Sequence, residues 1–465
     1  MSEVILLGLE QDRDKDKAVS KTEVSEFLGI GYVNAFLYQN GVKSKVLTEP
    51  VTLDDIVREN PSIVGFSVMA SNYEHSKSFS KQLKRDYPEI KIIWGGSQAS
   101  TYYDEVLLEG LVDFIVIGEG EETSLELIES IKDSKEPTSI RGLAFRQDGR
   151  IIITPHRERL TSQELDSIDS RFVHGNNYEK FAKHMPHSIP YSEMRFANVV
   201  GSRGCWNNCS FCSSNSLWGR KISYRSPENV VDEIEFLVNE NDVNYIFFTD
   251  DDFLVNGNWV QKISEELVRR KVDVKYHVMA SVRSSLRFNN YELLKRSGCA
   301  EITVGMETAN PEILCEIGKG YELSMLPSVA NEITGHGIHF GLYYMMGYPQ
   351  QTEEELVKDY EFICTLPFSR IRASFITPFP GTRFFSEVES NDLWIDGYRN
   401  NWSLLTCDRP VVKSGVTPEK LVEARDKVIQ LYLQAEYKNR MLGFIGDDSQ
   451  SVKAFTEFQE YVVDF

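Results

Sequence analysis

Nowhere in these 465 residues does an apolar run approach the roughly 18 to 20 positions needed to cross a bilayer, which argues against a helical membrane span. The opening stretch, MSEVILLGLEQDRDKDK, has only a short apolar run followed by charge and does not read as a signal peptide. Cysteine is scarce, with seven residues, odd in number and mostly scattered, so a disulfide framework is not expected. The chain therefore reads as soluble, cytoplasmic and thiol-reduced. Basic residues are outnumbered, 50 Lys and Arg against 70 Asp and Glu, for a net charge of −20. That deficit argues against a broad nucleic-acid footprint, which needs clustered cations to release counterions. No internal repeat or low-complexity tract appears. No Gly-rich nucleotide signature is complete either: FLGIGYVNAF offers Gly29 and Gly31 without the third glycine.

What is present is an alternation of strand-like and helix-like segments in a chain long enough for two or three domains. Residues 1–135 alternate short apolar runs (VILLGL, SIVGFSVMA, KIIWGG, FIVIGEGEET) with amphipathic stretches, the pattern of an open, Rossmann-like parallel sheet in an α/β domain. Three of these strands end in small or glycine-rich turns: Ser67-Val68-Met69, Gly95-Gly96 and Gly118-Glu119-Gly120. In such sheets ligands sit beyond the carboxyl ends of the strands, so a cofactor platform is one reading and plain helix starts are the other. Residues 136–195 are irregular and polar, a linker with one hairpin around IIITP. Residues 196–390 hold six β/α repeats, predicting a partial (β/α)6 barrel with its function at the carboxyl ends of the strands. Residues 391–465 form a mainly helical C-terminal segment, with a helix start at Thr417-Pro418.

Three of the seven cysteines fall in one loop, GSRGCWNNCSFCSS, directly after the first strand of the second repeat series. A structural zinc site wants four ligands, usually as two close pairs, and the second pair is missing here. His184 and His187 upstream are the nearest substitutes. Ordinary buried cysteines do not crowd into a polar loop containing Asn207, Asn208 and Ser210. An iron–sulfur cubane held by Cys205, Cys209 and Cys212 fits better, because three thiolates leave one iron open to a cofactor or substrate.

Cys205-x3-Cys209-x2-Cys212, with Phe211 before the last cysteine and six β/α units around it, resembles the radical S-adenosylmethionine (SAM) enzymes. The resemblance implies a [4Fe–4S] cluster on those three cysteines and SAM chelating the open iron. It further implies a 5′-deoxyadenosyl radical that takes hydrogen from an unactivated position. By the same resemblance Asp250, Asp251 and Asp252 stand where the family holds the SAM amino group. Phe211, Arg283 and Glu307 stand at other SAM-facing positions, Arg283 toward the SAM carboxylate. A small-molecule substrate and an electron donor such as flavodoxin or ferredoxin would be the partners. Tyr343, Tyr344 and His277 lie on barrel strands and either face the cavity or pack in the core.

An open α/β domain ahead of such a barrel resembles the cobalamin (B12)-binding module of many radical SAM enzymes. On that resemblance Ser67, Met69, Gly95, Gly96, Gly118, Glu119 and Gly120 would line the corrin and its nucleotide tail. One departure stands out: GLEQDRDKDKAVSK lacks the Asp-x-His-x-x-Gly segment that supplies a histidine to cobalt. The implied activity is cobalamin-dependent methylation of an unactivated carbon or phosphorus. Ring closure or rearrangement with a corrin-free first domain is the alternative, and a metal-stabilised ligand-binding protein is the non-enzymatic one.

Overall fold

A computed structural model describes residues 3–9, 27–48, 50–175 and 194–441, with side chains of the last helix described as far as Tyr432. All but Gly8 and Leu9 of the segment lacking the cobalt-ligating histidine, and His184 and His187, lie outside the described residues. Two large sheets organise the described residues. The first contains β1 (Val4–Gly8), β2 (Ser44–Thr48), β3 (Ile63–Ser67), β4 (Lys91–Gly95), β5 (Phe114–Val116), β6 (Leu143–Gln147) and β7 (Arg150–Ile153), in the order β2-β1-β3-β4-β5-β6-β7. The pairs among β1 to β5 are parallel. Their central strands are apolar throughout, as burial on both faces requires.

The hairpin expected inside a linker belongs instead to this sheet. β6 pairs antiparallel with β5, and β7 with β6. The reason is an open edge: β5 would otherwise present unpaired backbone groups, and Phe145 lies against Phe114 with ring centroids 6.1 Å apart. The first sheet thus runs past residue 135.

The second sheet begins at β8 (Phe196–Val199). A two-stranded ribbon of β9 (Ser202–Arg203) and β10 (Ser223–Tyr224) follows, and then β11 (Tyr245–Phe248), β12 (Lys275–Ala280), β13 (Cys299–Glu307), β14 (His339–Met346) and β15 (Arg370–Phe375). The order β8-β11-β12-β13-β14-β15 is sequential and all parallel, a curled half-barrel with helices between consecutive strands. Alternate residues of β13 diverge: Ile302, Val304 and Met306 join the core beneath the helices, while Glu301, Thr303 and Glu307 occupy the opposite face. The hydrophobic cluster under one face of the first sheet, including Val64 and Trp94, is continuous with the barrel core.

The C-terminal segment is less helical than expected at its start. Residues 391–416 form an irregular strap with one short 3-10 turn, Trp402–Leu404, and only from Pro418 does a long helix run, to Met441.

Candidate functional site

The cysteine loop spans the gap between β9 and β10, whose antiparallel pairing closes its base. Its backbone is tied down on both sides: the Ser210 N–H donates to the Ile317 carbonyl at 2.9 Å, and the Phe384 N–H donates to the Ser210 carbonyl at 2.9 Å. The Arg383 guanidinium donates to the Asn208 carbonyl at 2.6 Å. These bonds fix the loop against the turns after β13 and β15, at the carboxyl ends of the barrel strands.

All three thiols are free. Cys205 is buried, and Cys209 and Cys212 are half-buried. Burial pushes the Cys205 thiol up to about 11 and the Cys212 thiol up to about 12. Burial also raises Cys209, with Lys319 pulling the other way. Nearby Asp251 and Asp252 add to the rise at Cys205. Three thiols in a low-dielectric loop beside carboxylates become thiolates only with a compensating cation, which iron supplies; the donor set fits a cluster. Among the described residues no group of His, Cys, Asp or Glu gathers around a single ion position. A cubane asks for none, since each thiolate takes a separate iron. Phe211 is half-buried and packs on the main core.

The three consecutive aspartates after β11 separate into different roles. Asp250 is fully buried and accepts from the Gly201 N–H at 2.9 Å and the Ser202 hydroxyl at 2.5 Å. Burial pushes its carboxyl up to about 7 against those two donors. Asp252, also buried, accepts from the Ser281 N–H at 3.1 Å and the Ser284 hydroxyl, and lies 3.3 Å from the Trp206 indole nitrogen. It thereby joins the cysteine loop to the cap of the helix Val282–Arg287. Asp251 alone is solvent-accessible, and it accepts from the Ser214 hydroxyl at 2.7 Å, two residues past Cys212.

Arg283 has no carboxylate partner among the described residues. Its guanidinium lies 4.2 Å from the centre of the Trp206 ring, with Arg287 over the same ring at 5.1 Å. Glu307 ends β13 with φ of +69°, where the register with β14 shifts, and its carboxylate meets Lys319 at 2.7 Å. Lys319 was not singled out from the sequence, although it lies in the same fourth-strand segment, EITVGMETANPEILCEIGKG. Burial would weaken its charge, but Glu307 and Cys209 outweigh that and hold it protonated.

The seven residues at the ends of β3, β4 and β5 converge. Ser67, Met69, Gly95, Gly96, Gly118, Glu119 and Gly120 all line one cleft of about 370 Å³ at the carboxyl edge of the first sheet. Its other wall comes from the barrel: Ser202, Arg203, Trp218, Thr249 and Asp251. Gly96 (φ +98°) turns the chain where a Cβ would sit 2.7 Å from the Val68 carbonyl. Gly118 has open space where a Cβ would be, so the floor of the cleft is bare backbone. A cradle of small residues beside apolar walls fits a flat, bulky ring system. Glu119 lines the cleft with its carboxylate already engaged, by Arg203 at 2.9 Å and by the Leu160 N–H at 2.7 Å.

Of the other positions noted in the sequence, Tyr344 turns outward and donates to Asp359 at 3.0 Å. His277 is buried against Thr303 at 2.8 Å, and the Tyr343 hydroxyl reaches the Met279 sulfur at 3.4 Å. The site also contains two buried cations that sequence reasoning missed. Arg203 pairs with Glu119 and Glu121, and Arg225 pairs with Glu233 and donates to the Tyr32 hydroxyl at 2.9 Å. For Arg203 the available signal was its place two residues before Cys205.

Residues 199–363 match the radical SAM superfamily and residues 18–128 match the B12 binding domain. The chain carries a B12-binding domain and a radical SAM domain. It is an enzyme of the radical SAM type, and the two domains imply a [4Fe–4S] cluster, SAM and cobalamin as cofactors. An uncharacterized methyltransferase of Pyrococcus horikoshii is 28% identical over 83% of this chain and 83% of its own length. The cytidylyl-2-hydroxyethylphosphonate methyltransferase of Streptomyces wedmorensis is 25% identical, over 77% of each. An anaerobic magnesium-protoporphyrin IX monomethyl ester cyclase of Rubrivivax gelatinosus is 25% identical over 77% of this chain and 65% of its own. Among solved structures, the radical SAM methyltransferase TsrM of Kitasatospora setae, with tryptophan and a SAM analogue bound, has a TM-score of 0.66. It is 17% identical and covers 84% of this chain and 76% of its own. The cobalamin-dependent radical SAM enzyme OxsB, with aqua-cobalamin and SAM bound, has a TM-score of 0.69 at 14% identity, covering 100% of this chain and 72% of its own. At these identities the two structures speak for the fold.

Proposed function

We propose that this protein is a cobalamin-dependent methyltransferase that acts on an unactivated carbon or phosphorus of a small-molecule intermediate. The observation that carries this reading is the shared wall: Asp251 lines the cleft at the first sheet and is bonded to Ser214 of the cysteine loop. A corrin and a cluster on those two supports would face one space. When bound, the cluster, SAM and corrin supply an electron, a 5′-deoxyadenosyl radical and a methyl group.

The chain's own residues bind and orient. Cys205, Cys209 and Cys212 would hold the cluster, leaving one iron for SAM. Arg283, fixed over Trp206, offers a guanidinium for the SAM carboxylate, and Glu307, fixed by Lys319, offers a carboxylate for its amino group or ribose. Asp250 and Asp252 spend their oxygens inside the protein and fix the turn so that Asp251 faces the cleft. Ser67, Met69, Gly95, Gly96, Gly118 and Gly120 would receive the corrin. A small electron-transfer protein such as flavodoxin or ferredoxin would reduce the cluster, in the cytoplasm. No helix among the described residues is long and apolar enough to cross a membrane.

Ring closure is the second reading, favoured by the cyclase among the relatives. Anaerobic purification from cells supplied with cobalamin, followed by assays for corrin, S-adenosylhomocysteine and 5′-deoxyadenosine, separates the readings. Methyl transfer predicts retained corrin and both products. Deoxyadenosine without corrin favours the second reading, and the absence of both products from cluster-loaded protein contradicts each.

A further inference from the structure

Arg203 sits on β9, two residues before Cys205, and its guanidinium is buried between the two domains. One arm donates to Glu119 at 2.9 Å and the other to Glu121 at 2.7 Å, a fork across the turn that follows β5. The plane of the group lies over Tyr32, 4.9 Å from the ring centre, on the helix Leu28–Gln39. The remaining Glu119 oxygen accepts from the Leu160 N–H, and the Arg203 carbonyl accepts from Arg159 at 2.9 Å. The corrin-side turn, the first helix, the connecting segment and the strand leading into the cysteine loop therefore meet at one guanidinium.

Glu119, Gly120, Glu121 and Arg203 themselves line the cleft, so a molecule seated there bears on the same turn that Arg203 grips. Only a planar fork can serve two carboxylates at once with fixed angles; an ammonium is a point charge. A turn and a loop held by one rigid fork are ordered together. A ligand that orders either one relieves the second ligand of that cost.

We propose that Arg203 is a positioning residue that couples the two cofactor sites, so that filling the cysteine loop with its cluster tightens corrin binding in the cleft, and the reverse. This rests on the assignment of the two sites made above. Coupling of this kind is reciprocal by linkage and is commonly about 5- to 150-fold.

The test uses the full chain and hydroxocobalamin as the probe, with binding followed by corrin absorbance in cluster-free and cluster-loaded protein, iron content being measured in parallel. In the wild type the cluster should tighten hydroxocobalamin binding by about fivefold or more. Arg203→Lys keeps the charge and loses the fork; the ratio of hydroxocobalamin affinities, cluster-loaded over cluster-free, should fall below about twofold. Glu121→Gln removes the charge from one arm and should lower the ratio in the same direction, which keeps the test sound should Arg203→Lys fold poorly. A wild-type ratio near one overturns the coupling while leaving both cofactor sites standing. An unchanged ratio in both variants overturns the role of Arg203. Wild-type protein that binds no corrin in either state overturns the corrin site itself, and the coupling with it.

Discussion

Asp250, Asp251 and Asp252 are adjacent and chemically identical, yet they differ in what they touch, and the differences are measurable. The Asp250 carboxyl sits at about 7 in the folded chain because it is fully buried. In an unfolded chain it would sit near about 3.9. The folded state therefore holds this proton to a higher pH than the unfolded state does. The stability it contributes is fully present below about pH 4 and is lost as pH rises through about 7. Asp250→Asn keeps the shape and removes the titration. Denaturant unfolding should show the variant gaining about 2.5 kcal/mol on the wild type between pH 5 and pH 8; a constant difference across that range would contradict the assignment. From the sequence these residues were one acidic turn. Their separation depends on partners 29 to 49 positions away, Gly201 and Ser202 for one and Ser281 and Ser284 for another, which no local pattern encodes.

Strand ends are where the sequence was most legible. Apolar runs ending in Ser67, Gly95-Gly96 and Gly118 marked β3, β4 and β5, because a parallel strand covered on both faces is apolar along its length; the six barrel strands, which carry polar residues on one face as β13 does with Glu301 and Thr303, were marked by their regular alternation with helical segments. The hairpin of β6 and β7 was legible as a hairpin but not as part of the first sheet. Its attachment depends on the bare edge of β5, which exists only once the sheet has formed. Two glycines at strand ends should respond differently to alanine. At Gly96 the methyl would collide with the Val68 backbone in a left-handed conformation, so Gly96→Ala should cost roughly 2–3 kcal/mol in unfolding experiments. At Gly118 the methyl enters open space. Gly118→Ala should cost only about 1 kcal/mol for its backbone strain, but should reduce corrin retention, read from the absorbance of the purified protein. Equal stability losses at the two positions would contradict the described geometry.

At the scale of the whole molecule, the irregular strap at residues 391–416 has the role that the sequence left unread. Trp402 is buried and lies 4.7 Å from Tyr102 and 6.5 Å from Tyr73 of the first domain, and 6.0 Å from Phe385 of the barrel, measured between ring centres. One indole thus joins both domains, an arrangement invisible in a segment that lacks periodicity. Trp402→Ala should cost about 3–5 kcal/mol, as truncation of a buried large aromatic does, with urea unfolding broadening or splitting into two transitions. A loss below about 1 kcal/mol with a single sharp transition would assign the contact no structural weight.

Cys205, Cys209 and Cys212 are expected to hold the cluster at which SAM is cleaved. The most direct measurement is 5′-deoxyadenosine formation by anaerobically reconstituted protein under strong reduction, with iron counted in the same sample. About four irons per chain are expected, as a cubane requires, with deoxyadenosine that disappears in Cys209→Ala together with the iron while the fold persists. Protein that holds four irons, takes up SAM and forms no deoxyadenosine would contradict that expectation.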